Sequence, residues 1–254
     1  MQPVIKNRVK KISAIFILMV AVIAQSYAGV TLTGTRIIFN EGQKEKVVRT
    51  SNKGEIPALV QVWVDDGNIG LEGVSQETPF MAIPPLFRMD SGKGQSVRIR
   101  YLGQDLPKDR ESLYWFNLLE VPPKNNDDSV SERLSLAFKT KIKLFYRPAS
   151  LTETSAEQGK NIEWKHTTSN ELVAVNPTAY YLSFYSLSIV VGGVTHELGL
   201  PMISPFSEQQ IKLPSEIKNK KITDINFELI DDYGNGVSYQ GKYSGDNGFT
   251  IIKK

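Results

Sequence analysis

The sequence predicts an all-β fold divided into two sandwich-sized domains behind an export signal. Three observations carry that reading. Short runs rich in β-branched and aromatic residues are separated by Gly, Pro, Asn or Asp turns along the chain. No stretch joins helical spacing to capping signals over the length of an ordinary globular helix. A polar tract at residues 152–161, entered through Arg147-Pro148-Ala149-Ser150, reads as the best linker. It splits the chain after the signal into about 120 and about 100 residues, each suited to a sandwich of roughly seven strands.

Taken in order, the first element is the signal. Lys6, Arg8, Lys10 and Lys11 stand in positions 1–28 without any acidic residue, and residues 12–24 contain one polar side chain, Ser13. Small residues Ser26 and Ala28 flank Tyr27 as a signal peptidase requires, which puts the mature start at Gly29. Thirteen helical residues rise roughly 20 Å, short of a hydrocarbon core about 30 Å thick. With no cysteine in an exported chain, a Gram-negative periplasm is the natural compartment. Strands are expected at 30–33, 58–64, 96–101, 113–119 and 133–146, then beyond the linker at 171–175, 180–191, 208–212 and 222–230. Residues 196–200 and 208–213 also suit one or two helical turns. The expected division is therefore 1–28 signal, 29–150 first domain and 151–254 second domain. No fixed-period repeat is present, which argues against a solenoid or propeller.

Composition excludes several functions. The 254 residues include no Cys, which removes disulfides, thiolate zinc sites, iron–sulfur clusters and a catalytic thiol. His166 and His196 are the only histidines, thin material for an enzyme or a metal site. The net charge is +3, and removing the four positive charges of residues 1–28 leaves −1. No excess of positive charge then remains to collect nucleic-acid phosphates. Gly92-Lys93-Gly94-Gln95-Ser96 lacks the spacing of a phosphate loop and reads as a turn between strands. His196-Glu197 lacks zinc-protease spacing, Asp65-Asp66 lacks calcium-loop partners, and Ser112 and Ser186 find no histidine–acid arrangement. Trp63, Trp115 and Trp164 read as core aromatics rather than stacking platforms for bases.

Residues 133–146 join two patterns. Leu134, Leu136 and Phe138 alternate with Arg133, Ser135, Ala137 and Lys139, and the apolar character continues through Ile142 and Leu144. Fourteen extended residues would span about 48 Å, long for one strand of a small sandwich. Two readings are open: a central core strand, or an edge strand whose early positions display hydrophobic plugs to a partner. The polar loop at 125–129 just before it would isolate such an edge from its own sheet.

With these residues on the page, the chain resembles the periplasmic pilus (fimbrial) assembly chaperones. The strongest match is residues 106–123, reading LPKDRESLYWFNLLEVPP. It is joined by Pro84-Pro85-Leu86-Phe87-Arg88, by Thr140-Lys141-Ile142-Lys143-Leu144-Phe145-Tyr146-Arg147-Pro148, by Asn176-Pro177-Thr178 with Tyr180-Tyr181, by Pro205-Phe206 and by Asp232-Tyr233-Gly234. The matches follow family order and cover nearly all of the chain after the signal.

The resemblance implies two immunoglobulin-like β-sandwich domains in a boomerang arrangement, with a cleft between them. It assigns Arg36 and Lys143 to the pair that anchors the carboxylate at a pilus subunit's C-terminus. By residue type alone, each is an ordinary solvated surface charge. It also makes Leu134, Leu136 and Phe138 the donated strand, which fills the groove of a subunit that lacks its last strand until another subunit replaces it at the outer-membrane usher. Glu111, Arg147 and Asp232 match an ionic network at the domain junction, although their spacing alone suggests three separate surface charges. Lys143 has odd parity and the plugs even parity, so an unbent ladder puts them on opposite faces. A bulge, strong twist or switch of sheet near 139–141 would bring them together. The implied partners are pilus (fimbrial) subunits and the usher, with no nucleotide, nucleic acid, metal or other cofactor; an oligomer that caps its own donated edge is left open. The loop before the strand suits the short-loop kind that serves rod-forming pili. A two-domain immunoglobulin-like surface adhesion or structural module would keep the fold without the basic cleft.

Overall fold

The computed structural model describes residues 29–67, 78–123, 136–166, 171–217, 220–245 and 248–254. The expected signal, the 125–129 loop and Leu134 lie outside the described residues.

The N-terminal sandwich is formed by β1 (Val30–Leu32), β2 (Arg36–Asn40), β3 (Glu45–Asn52), β4 (Ala58–Asp65), β5 (Phe80–Ile83), β6 (Leu86–Met89), β7 (Gly94–Tyr101), β8 (Ser112–Val121) and β9 (Phe138–Arg147). One sheet runs β1-β3-β7-β5 and the other β2-β9-β8-β4-β6. Strand periodicity sorts the side chains: Val60, Val62 and Val64 of β4 enter the core while Leu59, Gln61 and Trp63 point away. Across the core, Val97 and Ile99 of β7 meet Phe116 and Leu118 of β8 in one apolar cluster.

Nine further strands make the second domain: β10 (Glu163–His166), β11 (Glu171–Asn176), β12 (Leu182–Val191), β13 (Val194–Glu197), β14 (Met202–Ile203), β15 (Ser207–Lys212), β16 (Ile222–Ile230), β17 (Gly236–Gly245) and β18 (Gly248–Lys253). They follow the path β13-β12-β16-β17-β18-β10-β11-β15, with β14 also on β12. Among the described residues β10 and β18 pair at Lys165 and Gly248, and the path folds over at this corner to enclose Trp164, Leu187, Phe227 and Tyr239. The two cores share no residue.

Four expectations change. The tract at 152–161 is only partly linker, because a 3-10 turn at Ala156–Asn161 packs on the second core. There Tyr239 donates its hydroxyl to the Ala156 carbonyl at 2.7 Å, and the ring lies where a Gly159 side chain would begin. Residues 196–197 and 208–212 are strand rather than helical turns; β15 pairs with β11 from Asn176↔Ser207 to Glu171↔Lys212, which supplies the hydrogen bonds a lone helical turn would lack. Trp164 is a core residue, but Trp63 and Trp115 are half-buried on the outer face of their sheet, covered by lysine side chains. The strand expected at 133–146 begins, among the described residues, at Phe138, and Leu136 precedes it. Its neighbour β8 ends at Val121, one residue past the Glu120↔Phe138 pair, so among the described residues no strand on that side extends the ladder to Leu136.

Candidate functional site

β9 serves two surfaces through one unbroken ladder. Its register with β8 runs without a shift from Ser112↔Tyr146 to Glu120↔Phe138. Even residues Ile142, Leu144 and Tyr146 face the N-terminal core. Odd residues Lys143, Phe145 and Arg147 meet the second domain, through Ser183, Tyr181 and Asp232 respectively. No bulge or change of sheet interrupts β9 at 139–141. None is required, since the plain alternation sends the cations to the junction while the even series runs out of the core. Phe138 is 62% exposed and Leu136 55%.

β2 lies parallel to β9 and pairs with it only from Arg36↔Lys143 to Asn40↔Arg147. From Phe138 to Ile142, β9 thus has no strand on that edge among the described residues. At the point where β2 stops, Arg36 and Lys143 stand side by side. Arg36 donates Nη1 to the Ile230 carbonyl at 2.9 Å, and its buried Nε has no partner. Lys143 Nζ lies 3.0 Å from Ser183 Oγ. Among the described residues neither side chain forms an ion pair. Burial lowers the Arg36 pKa, against the nearby charges of Asp232, Asp231 and Glu111. Burial and then repulsion from Arg36 push Lys143 down to about 8.

The next two lysines of β9 are provided for. Lys141 Nζ is 3.7 Å from the buried Asp65 carboxylate and 4.6 Å from the Trp115 ring centroid. Lys139 Nζ rides 4.9 Å from Trp63. Asp65 itself is held by Asn117 Nδ2 at 2.8 Å, the Gly67 amide at 3.0 Å and Trp63 Nε1 at 3.1 Å. Lys139 and Lys141 each cover an aromatic ring, which leaves Arg36 and Lys143 as the adjacent pair of cations where β2 begins. A guanidinium with a free Nε–H beside an ammonium suits one carboxylate, whose two oxygens accept about four hydrogen bonds.

The junction is held next to that pair. Arg147 donates Nε to Glu111 at 2.8 Å, and Nη1 and Nη2 to the two Asp232 oxygens at 2.6 and 2.8 Å. Glu111 accepts from the Tyr181 amide at 2.9 Å and donates its own amide to the Ala179 carbonyl at 2.9 Å. These three distant charges come together at the junction, with Arg147, Glu111 and Asp232 side chains 7%, 1% and 15% exposed, rather than spread over the surface. Burial raises the Glu111 pKa although Arg147 works against it. Burial opposes the Arg147 charge too, but Asp232 and Glu111 outweigh it and the pKa rises. The turn before β12 is locked by Asn176, whose Nδ2 donates to the Tyr180 and Ser204 carbonyls, both at 2.8 Å. Gly234, at φ +95°, brings the β16–β17 turn so close that a Cβ there would lie 2.7 Å from Thr35 Oγ1.

Sequence reasoning missed Ser183 and the Ile230 carbonyl. A serine in a strand carries no signal of its own, and a carbonyl carries none at all. Among the described residues no cluster of His, Cys, Asp or Glu is placed to hold a metal ion, and no helix is long and apolar enough to cross a membrane.

Residues 29–152 match the family described as pili and flagellar-assembly chaperone, PapD N-terminal domain, and residues 157–241 match the pili assembly chaperone PapD, C-terminal domain. The chain is 38% identical to the probable fimbrial chaperone YadV of Escherichia coli, over 87% of this chain and 93% of that protein. It is 36% identical to the chaperone protein FimB/FhaD of Bordetella pertussis, over 84% and 87%. The crystal structure of the YadV chaperone superposes with a TM-score of 0.73 at 36% identity, covering 85% of this chain and all (100%) of that one. The SafB chaperone, solved in complex with the SafA pilin of Salmonella enterica, gives a TM-score of 0.70 at 29% identity, covering 91% and 99%. Both domains are thus immunoglobulin-like sandwiches, and the adhesion-module reading falls away. The chain belongs to the family of pilus (fimbrial) assembly chaperones.

Proposed function

We propose that this protein binds, stabilises and caps pilus subunits in the periplasm by lending them a strand, and delivers them to the outer-membrane usher. The observation that carries this reading is the end of β2. There, two adjacent half-buried cations, neither in an ion pair among the described residues, mark the start of a free edge on β9. A subunit strand laid along that edge continues the line of β2, parallel to β9. Its terminal carboxylate then arrives between Arg36 and Lys143. The exposed series that includes Leu136 and Phe138, extended by Leu134, fills the groove of the subunit while β9 satisfies its unpaired backbone.

On this reading residues 1–28 are an export signal, residues 29–150 carry the subunit and residues 151–254 complete the cleft. A mature start at Gly29 is supported by Glu120, whose carboxylate accepts from the Val30 amide at 2.8 Å and lies against Gly29, a counter-charge beside a new terminus. Glu111, Arg147 and Asp232 hold the interdomain angle. The work is binding and exchange, with no catalytic step, nucleotide or cofactor. The test is calorimetry with a pilus subunit accumulated in complex with this chaperone and with its C-terminal peptide as free acid and as amide. The acid is expected to bind and the amide to lose most affinity; equal binding of both would overturn the carboxylate anchor.

A further inference from the structure

The sheet β1-β3-β7-β5 packs one face on the N-terminal core and leaves the other outside, on the side of the sandwich away from β9. Strand alternation sends Val48, Val97 and Ile99 inward and leaves Glu45, Val47 and Arg49 of β3, Arg98 and Arg100 of β7 and Met81 of β5 exposed. The register gathers these residues. Arg49 lies opposite Ser96, Val47 lies opposite Arg98, and Arg100 stands between Glu45 and Met81. Arg98 and Arg100 are thus about 7 Å apart along one strand, and Arg49 is diagonal to Arg98 at about 7–8 Å. Like charges at such spacings repel. Elsewhere Arg88, Arg110 and Arg147 each hold a carboxylate. Among the described residues Arg49, Arg98 and Arg100 hold none, not even Arg100 with Glu45 directly across from it, and none of the three covers an aromatic ring. Val47 and Met81 sit among them, 48% and 49% exposed.

We infer that this face docks the protein on an anionic phospholipid surface, with Arg49, Arg98 and Arg100 holding lipid phosphates and Val47 and Met81 lying against the headgroup layer. Charge complementarity carries the inference. Residues 29–254 sum to −1, so three arginines against one glutamate make a local excess, and a plane of phosphates relieves their mutual repulsion. A guanidinium meets a phosphate through two parallel hydrogen bonds. The geometry favours a plane over a chain. An acidic peptide is met at a sheet edge or in a groove, whereas β3 and β7 are both paired on both sides and present only their faces. The exposed apolar residues are aliphatic, which suits a lipid interface and offers no ring on which a base could stack. With the first sheet against lipid, the exposed edge of β9 on the second sheet stays open, so docking and strand lending are compatible and independent.

The experiment is cosedimentation of the secreted protein with vesicles of phosphatidylcholine alone or with 30 mol% phosphatidylglycerol. Each basic group near an anionic surface multiplies binding about fivefold, so three arginines less one carboxylate should favour the anionic vesicles by about 30-fold in low salt. That preference should vanish near 1 M salt, where the Debye length is about 3 Å. The triple variant Arg49→Gln, Arg98→Gln, Arg100→Gln should bring the ratio close to unity, and Glu45→Gln should raise it several-fold. The control is Lys212→Gln, Lys242→Gln, Lys253→Gln, which removes the same charge from exposed positions of the second domain and should leave most of the preference. All these side chains are exposed, so matched thermal unfolding is expected. Equal losses in the two triple variants would show attraction by net charge and overturn the inference, as would wild type that ignores phosphatidylglycerol in low salt. Tighter binding to polyglutamate than to the vesicles, lost in the arginine variant, would assign the face to an acidic protein segment and also overturn it. Pilus subunit capture should be unchanged in the arginine variant; its loss would tie the face to the subunit instead.

Discussion

Among four lysine and arginine side chains along the junction, what separates Arg36 and Lys143 from Lys139 and Lys141 is the company each keeps. Lys141 has Asp65 and Trp115, Lys139 has Trp63, Arg36 has the Ile230 carbonyl and the Phe145 ring, and Lys143 has the Ser183 hydroxyl. Arg36→Ala and Lys143→Ala are each expected to weaken subunit binding by about 2–5 kcal/mol, the usual result of truncating one partner of a buried charged contact. On the proposed anchor, in which both groups hold one carboxylate, the double variant should lose less than the sum. Lys141→Ala should leave affinity nearly unchanged, which makes it the control in the same calorimetric series; equal small losses at all three, erased by salt, would indicate diffuse electrostatics. A pH prediction follows from Lys143, lowered to about 8 by burial and by Arg36. A bound carboxylate favours the ammonium, so affinity should fall as pH rises through about 8. Stability of the free protein moves the other way: between about 8 and the higher pKa of the unfolded chain the unfolded state holds the extra proton, so Lys143 contributes rising stability with pH. Binding and thermal unfolding measured from pH 7 to 10 on wild type and Lys143→Met check both signs.

At the scale of the element, β9 shows what alternation does and does not encode. The pattern of large residues at even positions was legible in the sequence, as was the opposite parity of Lys143. The place where the core ends was not, because it depends on β8 stopping at Val121 and on β2 pairing no further than Lys143. The prediction here is a split along one face of one strand. Leu144→Ala should cost about 2–5 kcal/mol of stability as a buried truncation, since Leu144 is 0% exposed. Phe138→Ser should leave the unfolding midpoint unchanged and reduce subunit capture. Loss of cooperative unfolding in Phe138→Ser would restore the core-strand reading. Other elements were harder to see for similar reasons. β3, Glu45–Asn52, keeps mostly polar residues and buries only alternate positions, so its composition hides a strand that pairing with β7 makes plain. Trp63 and Trp115 read as core in the sequence because large aromatics usually are. The lysines that cover them come from a strand far along the chain.

For the whole molecule, the question is what makes two separate cores present one site. Each domain closes a core of its own, and Phe145, buried against Tyr181, belongs to neither cluster. The anchor needs both, because Arg36 leans on the Ile230 carbonyl and Lys143 on Ser183. Their alignment depends on the junction, where Arg147 joins Glu111 of its own domain to Asp232 of the other. The motif pieces carrying Glu111, Arg147 and Asp232 could be read from sequence. Their mutual contact could not, since 85 residues separate Arg147 from Asp232. Asp232→Asn leaves Arg147 paired with Glu111 and removes the charged bidentate link, so the domains should stay folded while their relative orientation broadens. Arg147→Met is harsher, because it strands a buried Glu111 carboxylate at a cost of about 3–5 kcal/mol. Small-angle scattering should show a wider distribution of shapes for Asp232→Asn, with both cores still unfolding cooperatively in calorimetry. Affinity for the C-terminal acid peptide should fall with it, although neither Arg36 nor Lys143 has been altered. Scattering and peptide affinity both unchanged in Asp232→Asn would show that the cleft keeps its shape without the ionic link, and would leave the Phe145–Tyr181 contact and the Glu111 backbone hydrogen bonds as what sets the angle.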